Sequence, residues 1–159
     1  MKLTTKSRYA VRVLVGCAIF EDRGLITVKN ASRHLQLSPK YIETIFIELK
    51  KANYITSVRG HRGGYKLALR PEDITIYSVI MAMEPIDGLA PRRDNPDALS
   101  RFVYREVWYR AGAELKMFLN DISIADLIEE KGGIEEIKKT DWYKDYNKEE
   151  LEEKRNLGL

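Results

Sequence analysis

Apolar residues recur at helical spacing in three stretches before residue 52, and then the period shortens to two. Across residues 7–20, Ala10, Val11, Leu14, Cys17 and Ala18 form one stripe, which predicts an amphipathic helix broken by Gly24. Val28, Ala31 and Leu35 predict a short second helix that Thr27 can cap. In LSPKYIETIFIELKKANY, Ile42, Ile45, Phe46 and Leu49 fall on one face and predict a third. Ser38 is a natural N-cap there, and Pro39 suits the first helical position, where its missing N–H costs nothing. That register turns Lys40, Tyr41, Glu43 and Thr44 outward on the first turns. Residues 54–58 then read as a strand, and Tyr65, Leu67 and Leu69 alternate with Lys66, Ala68 and Arg70 in another. Gly60, Gly63 and Gly64 supply the conformational freedom of the tip between them. Two short helices joined by a tight turn, then a hairpin, is the order of a winged helix-turn-helix.

The hairpin SVRGHRGGYKLAL carries three glycines and two arginines, and three uses compete for it: a phosphate cradle, a structural turn with incidental charge, or a finger for a nucleic-acid groove. A phosphate loop needs GxxxxGK[ST] between a strand and a helix, so that helix N–H groups meet the phosphate. Here the glycines lie between two strands and no GK[ST] follows. Charge favours the finger. Residues 1–70 hold 14 Lys+Arg against 4 Asp+Glu, and residues 71–159 hold 13 against 20. A first half at net +10 beside a second at −7 points to a polyanion partner for the first and another task for the second.

Other classes fall away. The apolar run of residues 13–20 is too short to span a membrane. The start MKLTTKSRYA lacks the apolar core of a signal peptide, so a cytoplasmic protein is expected. Cys17 is the only cysteine, which leaves no intrachain disulfide and no Cys-based zinc site. His34 and His61 are distant in sequence and imply no metal or catalytic pair. No nucleophile–base set is evident, so an enzyme is not expected.

The stretches LTTKSRYAVRVL, LSPKYIETIFIELKKANYITSVRGHRGGYKLA and PEDITIYSVIMAME resemble the winged-helix repressors of the Rrf-two family, over roughly residues 1–130. The SVRG-xx-GGY wing is the most specific of these. The resemblance implies a homodimer on a partly palindromic operator in double-stranded DNA, with the third helix in the major groove and the wing in the minor groove. Carried over by position, it assigns Ser38, Tyr41 and Glu43 to the reading helix and Arg59 to the wing. Physical chemistry is compatible with each role. A capped helix start presents N–H groups to a phosphate, a tyrosine hydroxyl can donate to the backbone, a glutamate can accept from a cytosine amino group, and a tip arginine suits a narrow minor groove. Lys6, Arg8, Lys40, Thr44 and Arg62 complete the expected DNA-binding set, the basic ones as phosphate contacts. Lys40 stands where the family usually has a small polar residue, which implies an operator preference of its own. Blander roles stay open: Tyr41 packing on a neighbouring helix, and Glu43 as a solvated partner of Lys40 or Lys50.

The expected architecture is mainly α with a small β-hairpin: a winged helix-turn-helix over residues 1–84, a loop at 85–96, a dimerisation helix with a short follower at 97–131, and a charged extension at 132–159. The long helix is predicted over about residues 97–120, with Tyr104, Trp108, Ala111, Leu115 and Phe118 as a coiled-coil-like seam. The alternative is a stripe packed on its own domain, and the resemblance favours the dimer. Many relatives hold an iron–sulfur cluster through cysteines before and within this helix. Aligned from Trp108, those positions are Ala90, Pro96, Phe102 and Arg105 here, so no cofactor is expected. Regulation is left to a small-molecule effector, a partner protein or abundance, with the 85–96 loop and the tail as places to receive it. Two rival readings are a cysteine-metabolism-type repressor controlled by cysteine synthase, and a winged-helix interaction module that no longer binds DNA. The tail, with Trp142, Tyr143 and Tyr146 as its aromatic anchors, is either a fraying helix or an arm folded onto the dimer or a partner.

Overall fold

The computed structural model describes residues 4–21, 24–60, 63–84, 97–129 and 133–156 of the 159-residue chain. Its first helix, α1 (Thr5–Ile19), runs through the middle of the fold, packed by the helices that follow and by the hairpin. Because neighbours approach from several sides, its buried arc is wider than the predicted stripe. Val13 and Gly16 are buried with Ala10, Leu14 and Cys17, whereas Val11 and Ala18 are only half-buried.

Helix α2 (Val28–Leu35) starts where Thr27 Oγ1 accepts the Asn30 N–H at 3.1 Å, and buries Ala31 and Leu35 while Val28 stays half-buried. Gln36 in the left-handed region (φ 55°) turns the chain sharply, and α3 (Pro39–Lys51) begins three residues later. There Ser38 Oγ accepts the Tyr41 N–H, and Ile42, Ile45, Phe46 and Leu49 are fully buried, the face that periodicity predicts. Strands β1 (Ile55–Val58) and β2 (Gly64–Leu67) pair antiparallel, Ile55 opposite Leu67 and Val58 opposite Gly64. Both are shorter than predicted, and Leu69 lies outside β2 and is exposed.

The wing glycines have roles different from those expected. Of the three, only Gly60 has a positive φ (127°). Gly63 and Gly64 are needed for space. A Cβ on Gly63 would sit 2.6 Å from the Val58 carbonyl oxygen, and one on Gly64 would sit 2.7 Å from Leu25 Cβ and 2.9 Å from the Ile26 carbonyl oxygen. The crowding at Gly64 arises because Ile26 and Tyr65 exchange both backbone hydrogen bonds, at 3.0 and 2.8 Å, a single bridge that lays Ile26 along β2.

After a turn of 3-10 helix (Pro71–Asp73), α4 (Ile76–Met83) seats Val79 and Met83 in the core. Residues 85–96, the predicted loop, lie outside the described residues. The long helix follows as α5 (Ala98–Val103), a π-helical stretch (Tyr104–Tyr109) and α6 (Arg110–Asn120), capped by Asp97. Then α7 (Ile124–Ile128) turns back on a Ser123–Asp126 capping box, and its fully buried Ile124 joins the same core as α1 and α3. The tail forms α8 (Gly133–Lys138) and α9 (Asp141–Asn156), and it is not left apart: Trp142 and Tyr143 pack on that core. No helix among the described residues is long and apolar enough to cross a membrane.

Candidate nucleic-acid interface

The cap that starts α3 also shapes its exposed surface. Lys40, Glu43 and Thr44 are exposed on the first two turns, and Thr44 Oγ1 donates back to the Lys40 carbonyl at 3.1 Å. Tyr41 differs from its neighbours. Its ring is half-buried and meets Tyr9 of α1 edge-on, centroids 6.4 Å apart, so the packing role open in the sequence is real. Arg12 caps the other side of this pair, its guanidinium carbon 5.6 Å from the Tyr9 ring centre. An edge contact leaves the tyrosine hydroxyl at the end of the ring, so the same side chain can brace α3 against α1 and still present a donor.

The hairpin is fixed to α3 at two points. Phe46 and Tyr65 stack at 4.3 Å with only 9° between ring planes, and Lys50 Nζ donates to Ser57 Oγ at 2.8 Å. The second contact engages Lys50 with the hairpin and not with Glu43. Arg59, one residue beyond β1, is exposed, and the positive φ of Gly60 turns the chain immediately after it. Arg62 and His61 lie outside the described residues.

Of the two α1 residues expected to contact phosphates, Arg8 is exposed, its guanidinium 3.5 Å from Thr5 Oγ1. Lys6 is not free: its ammonium sits 2.9 Å from Glu48 Oε2 in a part-buried ion pair that ties α1 to α3. It reaches a phosphate only by giving up Glu48. Sequence reasoning missed Tyr9 and the Lys50–Ser57 link, because each depends on a neighbour from another element that no local pattern reveals.

The predicted seam lies largely open. Trp108 and Phe118 are 52% and 61% exposed, Ala111 is exposed, and Tyr104 and Leu115 are half-buried. Leu99, Phe102, Val107, Tyr109 and Met117 are exposed as well, so the apolar surface is broader than a single seam. The π-helical stretch explains part of this. Its i→i+5 bonding winds the chain more loosely and rotates residues before it relative to those after it, so a stripe drawn with one period crosses faces.

This architecture has known counterparts. A family model described as Rrf2, iron-dependent transcriptional regulator, matches residues 3–130. The chain is 34% identical over 131 residues to the Rrf2 protein of Nitratidesulfovibrio vulgaris, covering 80% of this chain and 87% of that one. It is 32% identical over 130 residues to the transcriptional regulator IscR of Aliivibrio salmonicida, covering 80% and 77%. Among solved structures, CymR, the global cysteine regulator of B. subtilis, is similar with a TM-score of 0.68 at 30% identity, over 80% of this chain and 95% of that one. IscR of T. potens is similar with a TM-score of 0.66 at 27% identity, over 82% and 88%. Helices α8 and α9 lie beyond the matched range. The chain belongs to the Rrf2 family of transcriptional regulators, DNA-binding winged-helix proteins and not enzymes.

Proposed function

We propose that the protein is a repressor that binds a two-fold symmetric operator as a homodimer, with α3 in the major groove and the Arg59 wing in the minor groove. The observation that carries this reading is the rigid joint between α3 and the hairpin. The Phe46–Tyr65 stack and the Lys50–Ser57 hydrogen bond hold an exposed capped helix start and an exposed tip arginine in one fixed relation. In the groove, Ser38 and the helix start receive a phosphate, Lys40 and Arg8 add phosphate contacts, Tyr41 donates from its braced ring, and Glu43 and Thr44 face the base edges. Arg62 completes the wing set. Two protomers meet through the open face of the long helix around Trp108, Leu115 and Phe118, which places two such units on one side of a duplex.

An iron–sulfur cluster does not fit this chain. Such a centre needs several converging thiolates, and the single cysteine is Cys17, 2% exposed on α1. Burial, with Glu21 nearby, pushes its thiol up to about 12, the opposite of what a ligand or reactive thiol requires. The regulator therefore works without that cofactor. The likeness to CymR favours one second reading of the regulated genes, those of cysteine metabolism.

The test is selection of bound fragments from genomic DNA, followed by titration of the best site at several salt concentrations. A symmetric site is expected, with affinity falling steeply as salt rises because phosphate counterions are released. Arg59→Ala should cost about 1–3 kcal/mol of operator binding, as loss of a specific groove contact does. Equal affinity for the selected site and random duplex would end this reading.

A further inference from the structure

The tail does more than cover the core. The outer edge of the Trp142 indole abuts Gly16 of α1, where a Cβ would come within 2.8 Å of its Cζ2. Phe20 flanks the same indole at 5.8 Å and His34 of α2 stacks on it at 5.6 Å, 13° from parallel. Held this way, the indole walls one side of a groove of about 600 Å³ between α1, α2, α7 and the α8–α9 tail. That volume is in the range of small-molecule sites.

The groove has an apolar floor and a selective polar fringe. Val15, Ile19, Leu127 and Ile137 line it, and none of them carries a polar side-chain atom. The indole Nε1 of Trp142 is buried and meets no acceptor among the described residues. An indole nitrogen only donates, so what satisfies it must be an acceptor. The rim charges are unequally occupied. Asp141 and Asp145 of α9 stand 3.9 and 4.0 Å from their own lysines, Lys144 and Lys148. Arg12 on the α1 side stacks on Tyr9, and no carboxylate among the described residues pairs with it. A ligand that carries negative charge answers the guanidinium.

We propose that this groove is an effector site for a small carboxylic acid with an apolar ring or short acyl body, the body lying on Val15, Ile19 and Ile137 against the Trp142 ring and the carboxylate beside Arg12. The site has a direct line to the reading helix. His34, which stacks on the indole, belongs to the last turn of α2, and α3 begins four residues after that helix ends.

The chain has two tryptophans, so in full-length Trp108→Phe protein the emission reports Trp142 alone. Titration without DNA uses 3-phenylpropionate, its neutral amide and acetate, which makes the outcome independent of operator binding. For a ligand of this size a Kd on the order of 0.1–1 mM is expected for 3-phenylpropionate. The amide should bind about tenfold more weakly, and acetate should change nothing. Arg12→Gln should remove the preference for the acid while leaving the amide's affinity intact. Val15→Phe, which fills the floor, should abolish binding of both. The proposal is overturned if neither aromatic probe gives a saturable change at millimolar concentration, if acetate acts as 3-phenylpropionate does, or if Val15→Phe binds as well as its parent.

Discussion

Replacing Gly16 with alanine should change sign with the residue at position 142. In the middle of a helix, glycine to alanine ordinarily stabilises by about 1 kcal/mol, because the unfolded chain loses freedom and the helix gains a better former. Gly16 is an interior position of α1, so that gain is available. The new methyl, however, would project into the Trp142 ring, 2.8 Å from Cζ2 and 3.2 Å from Cζ3. The indole cannot swing aside freely, since Phe20 and His34 hold it at 5.8 and 5.6 Å. Overpacking of this kind costs about 1–3 kcal/mol. Gly16→Ala should therefore be neutral to destabilising by about 2 kcal/mol in the otherwise native chain. With Trp142→Ala also present, the same substitution should stabilise by about 1 kcal/mol. Urea unfolding followed by circular dichroism, at one protomer concentration for all four proteins, gives the coupling directly. If Gly16→Ala stabilises both backgrounds equally, α9 does not rest on α1, and the effector groove loses a wall.

Two further outcomes follow from the long helix and the cysteine. Trp108→Glu places a charge in the proposed interface and should convert the dimer to a monomer in sedimentation; a variant that stays dimeric places the interface elsewhere. Protein purified without oxygen should be colourless and hold no stoichiometric iron or acid-labile sulfide, and Cys17 should resist alkylation at neutral pH until the chain is unfolded. Stoichiometric iron and sulfide lost in Cys17→Ser would refute the cluster-free reading.

The buried face of α3 was legible because its information is local. Four apolar residues at helical spacing, a Ser cap and a Pro at the first turn agree with one another, and all four apolar side chains are buried. Cys17 was legible for the same reason. The wing glycines were read by their usual property, freedom at positive φ, and that holds only for Gly60. For Gly63 and Gly64 the cause is the approach of Val58 and of the Leu25–Ile26 segment, which only the fold brings near. Tyr41 was placed facing outward by helical register, yet register says nothing of Tyr9 lying alongside. The tail was undecided for a stronger reason. Its docking depends on one indole in a charge-dense helix and one glycine 126 residues earlier, and neither leaves a periodic trace.

Helix α1 is where these separate contacts meet. At its N-terminus the Thr4 amide donates to Glu84 Oε1 at 3.0 Å and its hydroxyl donates to the same oxygen. Burial opposes the charge on Glu84, but hydrogen bonds from Thr4 and Ser7, with Lys6 nearby, outweigh it and hold the carboxyl below its usual range. Glu84 closes α4, so the end of that helix is pinned to the start of α1. One turn along, Lys6 joins α1 to α3 through Glu48, and Tyr9 braces Tyr41. Two turns further, Gly16 accepts the indole of the tail. A helix of 15 residues thus touches the end of α4, α3 and the tail along its length. A ligand that moves α9 against Gly16 acts on the element that supports Tyr41 and Glu48. On the proposed reading, coupling between groove and operator runs through α1 and its contacts with Tyr41 and Glu48.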